Sequence, residues 1–189
     1  MSLALPVVAA ACLGLLLGGR LGALADIRLR AWWLFFAAFG LQVLAFPFEF
    51  LPWRTGHATA SAIWIVSYGL LLVAAALNVR IQGVPLVVAG IAANVAAVLA
   101  NGGTMPVTPA ALEDAGESYA TNANSTAISD PSLPWLVDRW AAPDWIPFAN
   151  VFSVGDVVIA LGTFLLVLAA MGVSPRQRLV ARDQLDVGK

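Results

Sequence analysis

The sequence predicts an all-α fold, a polytopic transmembrane helix bundle of five spans, and three observations carry that expectation. Of 189 residues, 60% are apolar and only 11% charged, against roughly 25% charged in a soluble domain. Five stretches approach the about 20 apolar residues that a helix needs to cross the hydrocarbon. Basic residues fall almost entirely in alternate connections, which is the asymmetry that orients a membrane protein. The chain is therefore read as a single membrane domain over 1–189.

The spans are expected at Leu3–Gly19, Ala31–Phe46, Ala58–Leu77, Val84–Ala100 and Val151–Val173. The first is read as a retained span and not as a signal peptide, because no Lys or Arg precedes Arg20 and a secretory signal begins with positive charge. Its Gly14, Gly18 and Gly22 are spaced by four, a small-residue face that lets helices approach closely. Packing within the chain is the expectation for that face, and an oligomer interface is the alternative.

Arg20, Arg28, Arg30, Arg80, Arg176, Arg178, Arg182 and Lys189 make eight of the 10 basic residues, and all fall on one side of the alternation. Only Arg54 and Arg139 fall on the other, beside Glu113, Asp114, Glu117, Asp130, Asp138 and Asp144. The N-terminus is thus expected outside and the C-terminus in the cytoplasm. The segment 101–150 becomes extracytoplasmic and the tail 174–189 a cytoplasmic anchor near anionic lipid. The first half of 101–150, rich in Ala, Asn and Thr, is expected to be mobile. In its second half Leu133, Trp135, Leu136 and Trp140 are expected to form a short helix on the outer leaflet.

An ionisable side chain inside hydrocarbon is costly and marks function by default. Asp156 is the carboxylate inside a span, and at 1.5 Å per residue it lies roughly 8 Å below Val151. Ser153 is one turn above it. Asn94 in the outer half of span four, Asn101 at its end, Gln42 in span two and Ser61 in span three sit at similar depth, with Glu49, Arg54 and His57 in the outer turn. These residues predict an outer-leaflet polar cluster centred on Asp156, Ser153, Asn94, Asn101 and Gln42. One Cys and one His give no Cys- or His-based metal site, no cofactor motif is present, and a net charge of −1 gives no basic surface for nucleic acid. The expected partners are the lipid bilayer and a membrane protein or lipid.

Asn101-Gly-Gly-Thr-Met-Pro-Val107 and Phe152-Ser-Val-Gly-Asp156 resemble the N-G-G-x-M-P-V and F-S-x-G-D strings of an uncharacterised family of small bacterial membrane proteins, a resemblance that implies no activity. The last span also resembles that of lipoprotein signal peptidases, whose final helix opens F-N-x-A-D with a Gly six residues later, here Gly162. In that resemblance Asp138-Arg139 matches the D-R that carries a partner aspartate, which implies an aspartyl dyad of Asp156 and Asp138. Ser153 stands for the Asn, Gly155 for the Ala, and five spans for four. Three function classes follow: a non-catalytic subunit, assembly factor or lipid- or ligand-binding module, which the residues favour; an intramembrane aspartyl hydrolase using Asp156 and Asp138; and a transporter component with Asp156 as proton or cation site.

Overall fold

The computed structural model describes residues 4–45, 56–115, 125–143 and 151–173. Glu49, Arg54, Asp144 and the tail 174–189 lie outside these residues, as does the side chain of His57. The described chain is mostly helical: α1 (Ala4–Leu16), a 3-10 turn (Leu21–Asp26), α2 (Trp33–Ala45), α3 (His57–Leu77), α4 (Val84–Ala100), β1 (Met105–Val107), α5 (Pro109–Ala115), β2 (Ser125–Ala127), β3 (Trp140–Ala141), β4 (Val151–Phe152) and α6 (Val154–Ala170). Among the described residues one helix, α3, is long and apolar enough to cross a membrane; α1, α2, α4 and α6 are apolar but shorter.

The ends of α4 and of α6 have local causes. Helix α4 begins just after Gly83 with Pro85 in its first turn, where the missing N–H of proline is harmless. It ends in a Schellman motif: Gly102 takes φ +75° and the Gly103 N–H donates to Val98 O at 2.9 Å. The Asn-Gly-Gly string is thus a helix stop that turns the chain into β1. Helix α6 opens on a capping box at Ser153 and stops at Gly172, φ +82°, where the Val173 N–H reaches Leu168 O at 3.0 Å.

The helices pack as a row in the order α2, α3, α4, α6, α1. Glycines bring α4 and α6 together, with Gly90 against Gly155 and Gly162 against Gly83 and Val87. Helix α1 lies on the far half of α6, where Gly14 meets the Met171 side chain. Gly18 and Gly22 have no neighbour there, so the four-residue spacing does not form one packed face. Gly18 instead takes φ +84° in the turn after α1. Large apolar side chains cover the outside, among them Trp32, Trp33, Phe36 and Phe39 of the α2 region, all at least 59% exposed.

Two ends are distinguishable. At one, Arg20 N donates to Met171 O at 3.1 Å, joining the turn after α1 to the end of α6. At the same end Asn78, 4% exposed, accepts from Arg30 N at 2.8 Å and donates to Arg30 O at 2.9 Å and to Ala74 O at 2.7 Å. Arg20, Arg28, Arg30 and Arg80 therefore share this end. Asn78→Ala removes all three bonds and is expected to cost about 2 kcal/mol, read as a lowered thermal midpoint of the purified protein. An unchanged midpoint would show that the clasp is dispensable.

The described residues after α4 gather at the opposite end and form short strands and a helix. Strand β1 pairs in parallel with β2, Met105 opposite Ser125, and α5 follows it. Strands β3 and β4 pair antiparallel, Trp140 opposite Phe152. The expected surface helix at 133–140 is replaced by a turn at 134–136 that leads into β3. Prolines at 131 and 134 and backbone bonding of 138–140 to neighbouring strands account for the difference, since proline breaks a helical hydrogen-bond ladder.

Candidate functional site

Where α4 passes the start of α6, three of the sequence-predicted residues meet. The Asp156 N–H donates to Ser153 Oγ at 3.1 Å, and the Ser153 N–H donates back to Asp156 Oδ2 at 3.2 Å, which is the reciprocal capping box. The Ser153 hydroxyl donates to Asn94 Oδ1 at 2.8 Å, and Asn94 Nδ2 donates to Asp156 Oδ1 at 3.0 Å. The circuit closes across two helices. Ser153 and Asn94 are buried, whereas Asp156 is half-buried, so its carboxylate is not sealed from its surroundings.

Asp138 arrives from a distance in sequence by strand pairing. Its N–H donates to Pro106 O at 3.0 Å and its carbonyl accepts from Thr108 N at 2.9 Å, so residue 138 extends the small sheet on the edge of β1. The next N–H, that of Arg139, donates to Phe152 O at 3.2 Å, immediately before Ser153. This ladder lays Asp138 beside the start of α6. The side chain is 7% exposed and its carboxyl is pushed up to about 7, first by burial and then by the charge of Asp156. Where a surface helix was expected, Asp138 lies buried on a strand edge.

That displaced ionisation has a sign. Unfolded, the carboxyl titrates near 3.8 and folded near 7, so across that range the unfolded chain releases a proton that the folded one keeps. Stability therefore falls as pH rises from about 4 to about 7 and is level above, by up to about 4 kcal/mol. Melting followed from pH 4.5 to 8 is expected to show this slope in the wild type and a flatter one in Asp138→Asn. Equal slopes would contradict it.

Asn101 and Gln42 do not join the cluster. Asn101 is the residue that ends α4, with φ −119° and ψ 35°, so a helical face drawn through Asn94 no longer applies to it. Its side chain clasps Ser132 instead, accepting from Ser132 N at 2.8 Å and donating to Ser132 O at 2.9 Å. Gln42 is half-buried on α2, which packs against α3 at the edge of the row. Ser61 lies beside Gly103.

Tyr68 was not among the sequence candidates. Half-way along α3, its ring stacks on Trp64 at 4.0 Å between centroids, and it lies within electrostatic reach of both Asp138 and Asp156. The available signal was its place: tyrosine favours the ends of an apolar span, and this one sits at the middle.

Among the described residues no group of three or more His, Cys, Asp or Glu side chains suits a metal ion. The site is thus two acids, an amide, a hydroxyl and a nearby phenol, a set able to move protons or to bind a polar ligand. The chain matches a family of unknown function (DUF5317) over residues 26–168, about three quarters of its length and all of this site. No curated protein and no solved structure matches it.

Proposed function

Since the chain belongs to a family of unknown function (DUF5317), we propose from its own geometry that it is a multi-pass membrane hydrolase of aspartyl type, acting at the outer end of the bundle on a membrane-anchored substrate. The observation that carries this reading is the placement of Asp138, which the backbone bonds to Pro106, Thr108 and Phe152 hold beside the helix start bearing Asp156. A buried carboxyl that keeps its proton near neutrality is a ready general acid. A second carboxylate with two N–H donors aligning it is a ready base for water, and pairs of acids with separated roles are how such enzymes work. The resemblance of Asp138-Arg139 and of Phe152–Asp156 to lipoprotein signal peptidases supports the same pairing.

The membrane part of the reading rests on α3, on four further apolar helices and on exposed Trp and Phe side chains. Arg20, Arg28, Arg30 and Arg80 gather at one end and the acid pair at the other, which fits five spans with the acid pair outside. The test is cleavage. Reconstituted protein is incubated with a panel of membrane-anchored peptides, and new termini are sought by mass spectrometry, with Asp156→Asn and Asp138→Asn beside the wild type. Cleavage that persists in both variants would sink the proposal.

A second reading has one specific observation behind it: both oxygens of Asp156 are already engaged. In that reading the cluster is a latch that fastens α6 to α4 in a non-catalytic module. Its mark would be a protein that melts lower in Asp156→Asn while no substrate is ever turned over.

A further inference from the structure

The exterior surface next to Asp138 carries a cation held in an aromatic frame. The Arg139 guanidinium lies 5.2 Å from the centroid of the Trp135 ring and 5.5 Å from that of Trp140, both within cation–π range. Trp140 in turn stacks on Phe152 across the β3–β4 pair, at 5.7 Å. Trp135 is 72% exposed, Leu133 45% and Trp140 42%, so an apolar rim surrounds the half-exposed charge. Leu133 is also held at φ +54°, a conformation that bulky residues avoid. The Asn101 clasp on Ser132 fixes the chain immediately before it.

We infer that Leu133, Trp135, Arg139 and Trp140 form a binding site for the phosphate of an anionic lipid headgroup in the outer leaflet. Ring faces take up none of the guanidinium's N–H donors, and no described residue bonds to them, so they can fork onto a phosphate in two parallel bonds. The indoles are amphipathic and suited to headgroup depth, and the apolar rim matches the glycerol and upper acyl region below. Charge complementarity selects an anionic over a zwitterionic lipid. Because Arg139 follows Asp138 and bonds to Phe152, such a lipid would hold the buried acid against the membrane surface. The inference rests on the membrane-spanning part of the proposed function but not on its chemistry.

Native mass spectrometry of the full chain, released from nanodiscs of equal phosphatidylglycerol and phosphatidylcholine, reads which lipid it retains. The wild type is expected to favour phosphatidylglycerol by about fivefold. Arg139→Gln should lower the ratio to the part owed to the basic residues at the other end of the bundle, and Arg139→Lys should lower it less, since the charge remains without the planar fork. Trp135→Leu, at a position too exposed to endanger the fold, should lower it as well. Asp138→Asn should leave it unchanged, so that a failed hydrolase reading leaves this result standing. A wild type without preference, or Arg139→Gln with the full preference, overturns the inference. A chain that washes out of membranes at alkaline pH would instead end the membrane reading.

Discussion

Gly155→Ala is expected to cost about 3 kcal/mol and to separate α6 from α4. A Cβ at this position would land on Asn94 Oδ1 and 2.9 Å from Gly90 O. Neither neighbour can step aside. Asn94 is held at both ends of its amide, by Ser153 at 2.8 Å and by Asp156 at 3.0 Å, and Gly90 O belongs to the helix backbone. The reciprocal change, Gly90→Ala, meets Gly155 O at 2.5 Å and Ile159 N at 2.9 Å and should do similar damage. Gly69→Ala is the control: nothing lies within 4 Å of its would-be Cβ, and alanine in mid-helix stabilises by up to about 1 kcal/mol. Thermal melting of the three variants decides the matter, and a Gly155→Ala protein that melts with the wild type would show that the two helices are not in this contact.

Under the proposed aspartyl chemistry, Asp156→Asn and Asp138→Asn should each lower hydrolysis by about 10²–10⁴-fold, the range of a positioned acid or base. The two substitutions are close to isosteric, and the strand pairing at residue 138, which runs through the backbone, survives the change while the proton chemistry does not. Acid and base act in one step, so the double variant should be no worse than the weaker single. The roles also give a pH signature. The acid works only while protonated, and with Asp138 near 7 the rate should fall as pH rises through that value. A rate that instead rises across neutrality would reverse the assignment of acid and base, and additive losses would mean that the two carboxyls act separately.

The residues that were legible in sequence are those whose signal is local. Val84–Ala100 was visible at both ends because Gly83-Val-Pro starts the helix and Asn-Gly-Gly stops it. Ser153, Asp156 and Asn94 stood out as polar groups in apolar runs, and Ser-x-x-Asp is itself a helix-start pattern. Asn101 misled because its place at the end of an apolar span reads as helical, whereas α4 has already ended there. Gln42 misled because depth along a span says nothing of which neighbour the span packs against. The burial of Asp138 was out of reach for a different reason. It depends on β1, from before α5, and on β4, just before α6, meeting around one residue, and no periodicity in 130–140 encodes such pairing. The shortness of α1 relative to its apolar run follows from an early stop at Gly18.

The capping box at the head of α6 bears on how relatives of this chain should be compared. Position 156 serves the helix start through Ser153 and the helix contact through Asn94, whatever chemistry it also performs. An aspartate retained there across related sequences would therefore say little about catalysis, since architecture alone would select for it. Position 138 is the opposite case. The bonds that seat it run through its backbone, which almost any side chain would leave intact, and a buried carboxyl there costs stability at neutral pH. An aspartate that persists at 138 despite that cost is the one to count as a trace of function.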